Sequence, residues 1–511
     1  GLYARQLDGF GQEQAEPAVE AAVTVEEPAA ETPAFHSEPV TVYPGEQNHL
    51  PYDVVVERLH VDQPEPTPPE PTLDVKPSEK PEHPVAIPVN GEWQTFPNQR
   101  AAEQAAYQEY RDNLRRNAEN FRITDDHLGE GGPKAKYQAN VAAIKLLKYL
   151  EETAGQATPE QQEVLSRYVG WGGVADAFDP DKPAWAAEYA ELKELLTPEE
   201  YEAARASTLN AHYTSPTVIR AIYDAVEQMG FRTGNILEPS CGVGNFFGML
   251  PESMAGSRLY GVELDSISGR IAKQLYPKAD ITVAGFETTD RRDFYDLAIG
   301  NVPFGQYQVN DKAYNKLGFN IHNYFFAKSL DQVRPGGVVA FVTSRYTMDA
   351  KDSTVRRYLA QRAELLGAIR LPNNAFKANA GTEVVSDILF LQKRDRPLDI
   401  TPDWTQTGRT EEGFTVNQYF LDHPEMVLGR PTAESTQYGK QDYTVVPIEG
   451  LELADQLHDA VQHIHGTYQE AALPELGEGE DIDDSLPADP DVKNYSYTVV
   501  DGAVYFRENS R

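Results

Sequence analysis

From about residue 235 to residue 395 the chain alternates short apolar runs with amphipathic segments. The runs read as strands are 235–238, 259–264, 281–284, 294–299, 338–343, 365–370 and 384–392. Helical periodicity falls between them, at 266–275, 321–333 and 353–362. This alternation constrains the chain more than any other feature. Strands separated by helices pair in parallel and need helices on both faces, so the expected fold class is α/β with a doubly wound sheet. Such a sheet binds ligands beyond the carboxyl ends of its strands. The residues that follow each strand are therefore the first candidates for function.

Two strand ends stand out. The first strand runs into "NILEPSCGVGNFFGML", which reads as strand, glycine loop and helix. Gly242 and Gly244 let backbone approach a ligand closely, and the helix start at Asn245 offers free N–H groups. The second strand ends "YGVELD", which puts Glu263 one βαβ unit downstream, where an acid holds ribose hydroxyls. The loop is not a dinucleotide fingerprint, because Phe247 stands where a third glycine is required. The fourth strand ends in Gly-Asn-Val-Pro-Phe-Gly, residues 300–305. Asn301 supplies an amide oxygen and Val302 a backbone carbonyl. Pro303 stiffens the turn, and Phe304 presents a flat face. This set suits a planar heteroaromatic ring with an exocyclic amino group: two acceptors take the two amino protons, and the aromatic stacks on the ring.

The flanks differ in kind. Residues 1–100 are rich in Pro, Glu, Ala and Val and read as a disordered acidic linker, with a short strand possible at 52–59. Residues 101–210 read as a helical domain. Two of its helices open with Thr-Pro-Glu, an N-cap followed by Pro at the first helical position. Between them "YVGWGGVADAFD" reads as a tight loop around a packed Trp171. Residues 211–395 form the sheet domain. Residues 396–511 read as an accessory region with an acidic linker at 475–491 and a closing hairpin that turns at Asp501-Gly502.

Net charge is −35, concentrated in those flanks: residues 1–100 carry 18 acids against 5 bases, and 401–511 carry 22 against 6. The usual basic footprint of a nucleic-acid binder is missing overall. Basic residues do gather at Arg345, Lys351, Arg356, Arg357 and Arg362, where a solvated helix face is the ordinary reading. The single cysteine, Cys241, rules out an internal disulfide and fits a reducing cytoplasm. No apolar run reaches membrane-spanning length. The chain is expected to be a piece of a longer protein.

The motifs together resemble an N6-adenine DNA methyltransferase of the γ-type amino-methyltransferase class, similar to type I restriction modification subunits. The class motif is Asn/Asp/Ser-Pro-Pro-Tyr/Phe. Asn301-Val302-Pro303-Phe304 matches three of its four places, and the replaced Pro acts through its carbonyl. The resemblance implies a Rossmann-like class I fold with a seven-stranded mixed sheet. It also implies S-adenosylmethionine as cofactor, with no metal. In "AHYTSPTVIRAIYDAV", Tyr213 and Thr214 would touch the methionine part of that cofactor. Glu238 and Pro239 open its loop, and the Glu238 carboxylate would face the cofactor's ammonium. In "VAGFETTD", Phe286 would lie beside its adenine. The usual Asp of that motif is Gly285, with Glu287 as a replacement. "GAIRLPNNAF" makes Phe376 a second wall against a flipped base, a core Phe being an equal reading.

The stretch "NFRITDDHLGEGGPKAKYQANVAAIKLL" looks like the start of large methylase–helicase fusions of conjugative elements or phages. That implies DNA as partner, a helicase-like region in the full-length polypeptide, and a cytoplasmic setting. Two other functions fit the same residues: methylation of RNA or of a protein glutamine, and a non-catalytic DNA-handling or anti-restriction module that keeps the fold.

Overall fold

A computed structural model describes residues 83–208, 213–376, 384–435 and 441–471, with short stretches between 488 and 507. The possible strand at 52–59 and nearly all of the acidic linker lie outside the described residues. Within the expected linker, residues at its end are ordered as a hairpin of β1 (Val85–Val89) and β2 (Glu92–Phe96). Its strands, an apolar Val-Ala-Ile-Pro-Val and a mixed Glu-Trp-Gln-Thr-Phe, flank an Asn-Gly turn, a local signal outweighed in the sequence by the Pro-rich stretch before it.

The helical region comprises α1 (Gln99–Asn117), α2 (Pro133–Glu152), α3 (Pro159–Ser166), α4 (Ala186–Leu195) and α5 (Pro198–Ser207). The two Thr-Pro-Glu starts behave as their chemistry requires. Thr158 and Thr197 each accept from the backbone three residues on, and the third residue's side chain bonds back to the cap. Helix α2 buries Val141, Ile144, Leu147 and Leu150, its predicted apolar stripe. Trp171 is 1% exposed and packs edge-on against Phe178 at 5.2 Å, so its reading as a packed residue holds.

The sheet domain begins with α6 (Pro216–Gln228), capped by Ser215. It continues through β3 (Asn235–Glu238), β4 (Arg258–Glu263), α7 (Ser266–Leu275), β5 (Asp280–Val283), β6 (Tyr295–Asn301), α8 (Ile321–Gln332), β7 (Val333–Ser344), α9 (Thr354–Arg362), β8 (Ala363–Arg370) and β9 (Ser386–Lys393). All seven expected strands are present. Their order in space is β5-β4-β3-β6-β7-β9-β8. The first five pair in parallel, and β9 runs antiparallel to both β7 and β8. The chain order reverses direction between β3 and β6, which is where a doubly wound sheet opens a crevice.

The helical region docks on α7. Arg270 of that helix pairs with Glu151 and Glu200, and the Gln162 amide donates to the Leu275 carbonyl. Residues 396–471 also pack on the sheet. Arg370 forms a two-pronged bond with Asp387 at 2.8 Å for each prong and lies 2.8 Å from Asp349. The Asn417 backbone donates to Asp349, and Arg345 bonds Asp442. A last helix, α10 (Leu453–Val461), lies along α6, and Tyr468 beyond it meets Phe231 edge-on at 5.0 Å.

This packing corrects the picture of a basic face. Arg356 is 1% exposed, with its Nε bonded to the Thr405 carbonyl, and Arg345 is 7% exposed. Among the described residues no helix is long and apolar enough to cross a membrane.

Candidate active site

The glycine loop after β3 takes the form its sequence demands. Gly242 and Gly244 have φ of +56° and +87°, a region that side chains disfavour. At Gly244 an added Cβ would also fall 2.5 Å from the Tyr276 ring, so packing and backbone require the same residue. The Gly242 N–H donates to Glu263 Oε2 at 2.6 Å, and the Asp265 N–H to Oε1 at 2.8 Å. The end of β4 therefore holds the loop after β3.

Beside this loop lies a cavity of about 240 Å³. Glu238, Gly242, Asn245 and Glu263 line it from the cofactor-motif side, and Tyr213 and Thr214 from the segment before α6. Asn301, Val302 and Pro303 line it from the end of β6. A second cavity of about 200 Å³ shares Ser207, Ser240, Glu263, Asp265 and Pro303 with the first. It adds Pro239 and Phe286, whose ring stacks on Phe325 at 4.9 Å. The two cavities are thus adjacent, joined where Glu263 and Asp265 stand.

Three expected residues fall elsewhere. Gly244 underlies the loop against Tyr276 and lines neither cavity. Phe304 is half-buried on the apolar core and lines neither. Phe376 is 1% exposed within the core, which agrees with the packing alternative rather than a base wall. Sequence reading missed the contribution of the helical region. Tyr168 and Gly170 line the first cavity, and Ala203 and Ala206 the second. The glycine cluster of "YVGWGG" was the available signal.

The polar groups of the first cavity are unusually short of partners. Glu238 is 3% exposed, and its Oε2 has no hydrogen-bond partner. The same holds for Asn301 Oδ1. Leaving such a group buried and unbonded costs about 1–3 kcal/mol, and more for a charge. Burial, with the Glu263 charge second, pushes the Glu238 carboxyl well above its usual range. Burial, with Asp265 second, lifts Glu263 to about 7. Burial also pushes the Cys241 thiol up, so it stays protonated and is no nucleophile. Gly300 precedes Asn301 for a spatial reason: an added Cβ would lie 3.1 Å from Glu238 Cγ.

These residues fit a ligand that carries a cation at one end and a flat base at the other. A buried carboxyl without a partner suits an ammonium, whose positive charge favours the carboxyl's ionised form. Acids at the junction suit ribose hydroxyls, and Phe286 suits a ring.

No family model matches the chain. Its sequence is similar to the defense against restriction protein B of Escherichia phage P1, 28% identical over 272 residues. That match covers 52% of this chain and 10% of the phage protein. It is also similar to a type II methyltransferase of Paramecium bursaria Chlorella virus XZ-6E, 39% identical over 93 residues, covering 18% of this chain and 24% of the viral one. The chain therefore spans about a tenth and about a quarter of these curated relatives. Among solved structures, a class I S-adenosylmethionine-dependent methyltransferase of Listeria monocytogenes aligns over 53% of this chain and 90% of its own. Its identity is 18% and the TM-score 0.32. The sheet order, with its antiparallel β9, makes this a Rossmann-like class I methyltransferase fold, and the cofactor that fold implies is S-adenosylmethionine.

Proposed function

We propose that this chain transfers a methyl group from S-adenosylmethionine to the N6 amino group of adenine in DNA. One observation carries the reading: Glu238 Oε2 and Asn301 Oδ1, two buried acceptors without partners, line one cavity at the switch point of the sheet. When bound, S-adenosylmethionine supplies an activated methyl group. Glu238 accepts from its ammonium, Glu263 holds its ribose, and Phe286 lies beside its adenine. Asn301 Oδ1 and the Val302 carbonyl each accept a hydrogen bond from the target amino group, which aims the nitrogen lone pair at the cofactor. Alignment of that lone pair is the main contribution asked of the protein. An adenine inside a duplex cannot reach Asn301, so the base is flipped out, with Phe304 as the stacking face. Phe304 lines neither cavity, so its ring must move to serve there. No role is assigned to Phe376.

The likeness to the phage defense protein favours a second reading, a DNA-handling module that protects against restriction. The setting proposed for either is cytoplasmic, with a helicase-like region elsewhere in a longer polypeptide. Labelled S-adenosylmethionine, offered with DNA, RNA and protein, separates the possibilities. Label in N6-methyladenine of DNA supports the proposal. Label only in RNA or in glutamine overturns the substrate. Absence of any cofactor binding favours the module without catalysis.

A further inference from the structure

Thr214 belongs by sequence to the segment expected to touch the cofactor. Its hydroxyl is used otherwise. Asn301 Nδ2 donates to Thr214 Oγ1 at 3.1 Å, across 87 residues of chain. Thr214 is 7% exposed, and its position is fixed from behind. The next residue, Ser215, caps α6, and Pro216 occupies the first helical position. Asn301 is fixed from its own side. Its Cα pairs with Val342 in β7, and the Val302 N–H donates to the Val342 carbonyl at 3.1 Å. The backbone on both sides is held, so the remaining freedom of Asn301 is rotation of its side chain, and the bond to Thr214 removes it.

An amide has two unlike ends, two N–H donors and an oxygen with two lone pairs. A hydroxyl can serve either end, so Thr214 fixes the plane of the amide. An amino group arriving from the cavity brings only N–H donors toward the amide. The arrangement that satisfies every partner has Nδ2 on Thr214 and Oδ1 left for the incoming donor; here Nδ2 is on Thr214, Oδ1 has no partner, and Asn301 lines the cavity. We propose that Thr214 is a positioning residue for the transfer step, holding the Asn301 amide so that its oxygen meets the substrate's amino group. This inference rests on the proposed reading of Asn301.

The test compares Thr214→Val, which keeps the shape and loses the hydroxyl, with Thr214→Ser, which keeps the hydroxyl. In the full chain with S-adenosylmethionine and mixed-sequence DNA, the Val variant should lose about ten- to a hundredfold in kcat. Its dissociation constant for S-adenosylhomocysteine should stay within about twofold, and Ser should restore most of the rate. A second measurement needs no substrate. The Asn301 side-chain amide protons, followed by NMR after selective labelling, should be protected in wild type and Ser and exchange freely in Val. Weakened S-adenosylhomocysteine binding with kcat unchanged at saturation would make Thr214 a cofactor contact and overturn the proposal. Equal amide protection in all three proteins would overturn it as well. If wild type binds S-adenosylhomocysteine yet methylates no nucleic acid, the substrate reading fails, while the NMR result still decides whether Thr214 holds the amide.

Discussion

Two clusters of charge are buried at this sheet, and they are built on opposite principles. Around Arg370 the charges are matched: Asp387 takes two of its nitrogens in hydrogen bonds, Asp349 pairs with the third by charge at 2.8 Å without a hydrogen bond, and Arg345 adds a further cation beside Asp349. Around Glu238 they are not matched. Two carboxylates lie near each other, and Glu238 Oε2 and Asn301 Oδ1 are left without partners. A buried ion pair is close to neutral in net stability but costly to break. A buried acceptor left open costs stability continuously and recovers it when a ligand arrives. The first cluster docks residues 396–446 on the sheet. The second is a site.

The largest test of this contrast is Arg370→Ala. It leaves Asp387 and Asp349 buried without their cation and should cost roughly 3–5 kcal/mol, read as a lower denaturant midpoint. Little change in the midpoint would mean that the cluster does not hold the C-terminal region. At the other cluster, Asn301→Ala should reduce methyl transfer by about a hundred- to a thousandfold, with S-adenosylhomocysteine binding nearly unchanged. Full activity in that variant would remove Asn301 from the reaction.

Glu238→Gln sharpens the comparison further. It should weaken S-adenosylhomocysteine about ten- to a hundredfold in calorimetry, through loss of a charged hydrogen bond. The same substitution should leave the ligand-free protein as stable as wild type or more so, the reverse of Arg370→Ala.

The smallest effect is one of pH. The folded-state pKa of Glu263 is raised to about 7, and that of Glu238 is raised as well. A raised carboxyl contributes stability that is present at low pH and lost as pH rises from the usual carboxylate range through the folded value. The ligand-free protein should therefore lose stability toward pH 7 and above. An ammonium binds the ionised form of Glu238, so affinity for S-adenosylhomocysteine should rise with pH above the usual carboxylate range, by up to about tenfold per unit, until that raised carboxyl is ionised. Flat affinity from pH 5.5 to 8 would show that Glu238 does not face the ligand's cation.

Much of the sheet domain was legible in the sequence because its signals are local. Strand and helix periods, the caps at Thr158, Thr197 and Ser215, and the positive-φ glycines each depend on a few neighbouring residues. Glu238, Glu263 and Asn301 were legible for the same reason: they stand at strand ends, and a doubly wound sheet brings strand ends together. Phe376 was not, since an aromatic in an apolar run reads alike as wall or core until its neighbours are known.

The sequence by itself thus determined the class of fold and the residues that carry charge into the site. Tertiary structure alone decided their partners. Only the folded chain brings Thr214 to Asn301, sets Tyr168 of the helical region against the cavity, buries Arg356 under Thr405, and leaves Glu238 Oε2 open. The reason is physical. Local propensity depends on adjacent residues, whereas a hydrogen bond made or left unmade depends on which distant surfaces the packing presses together.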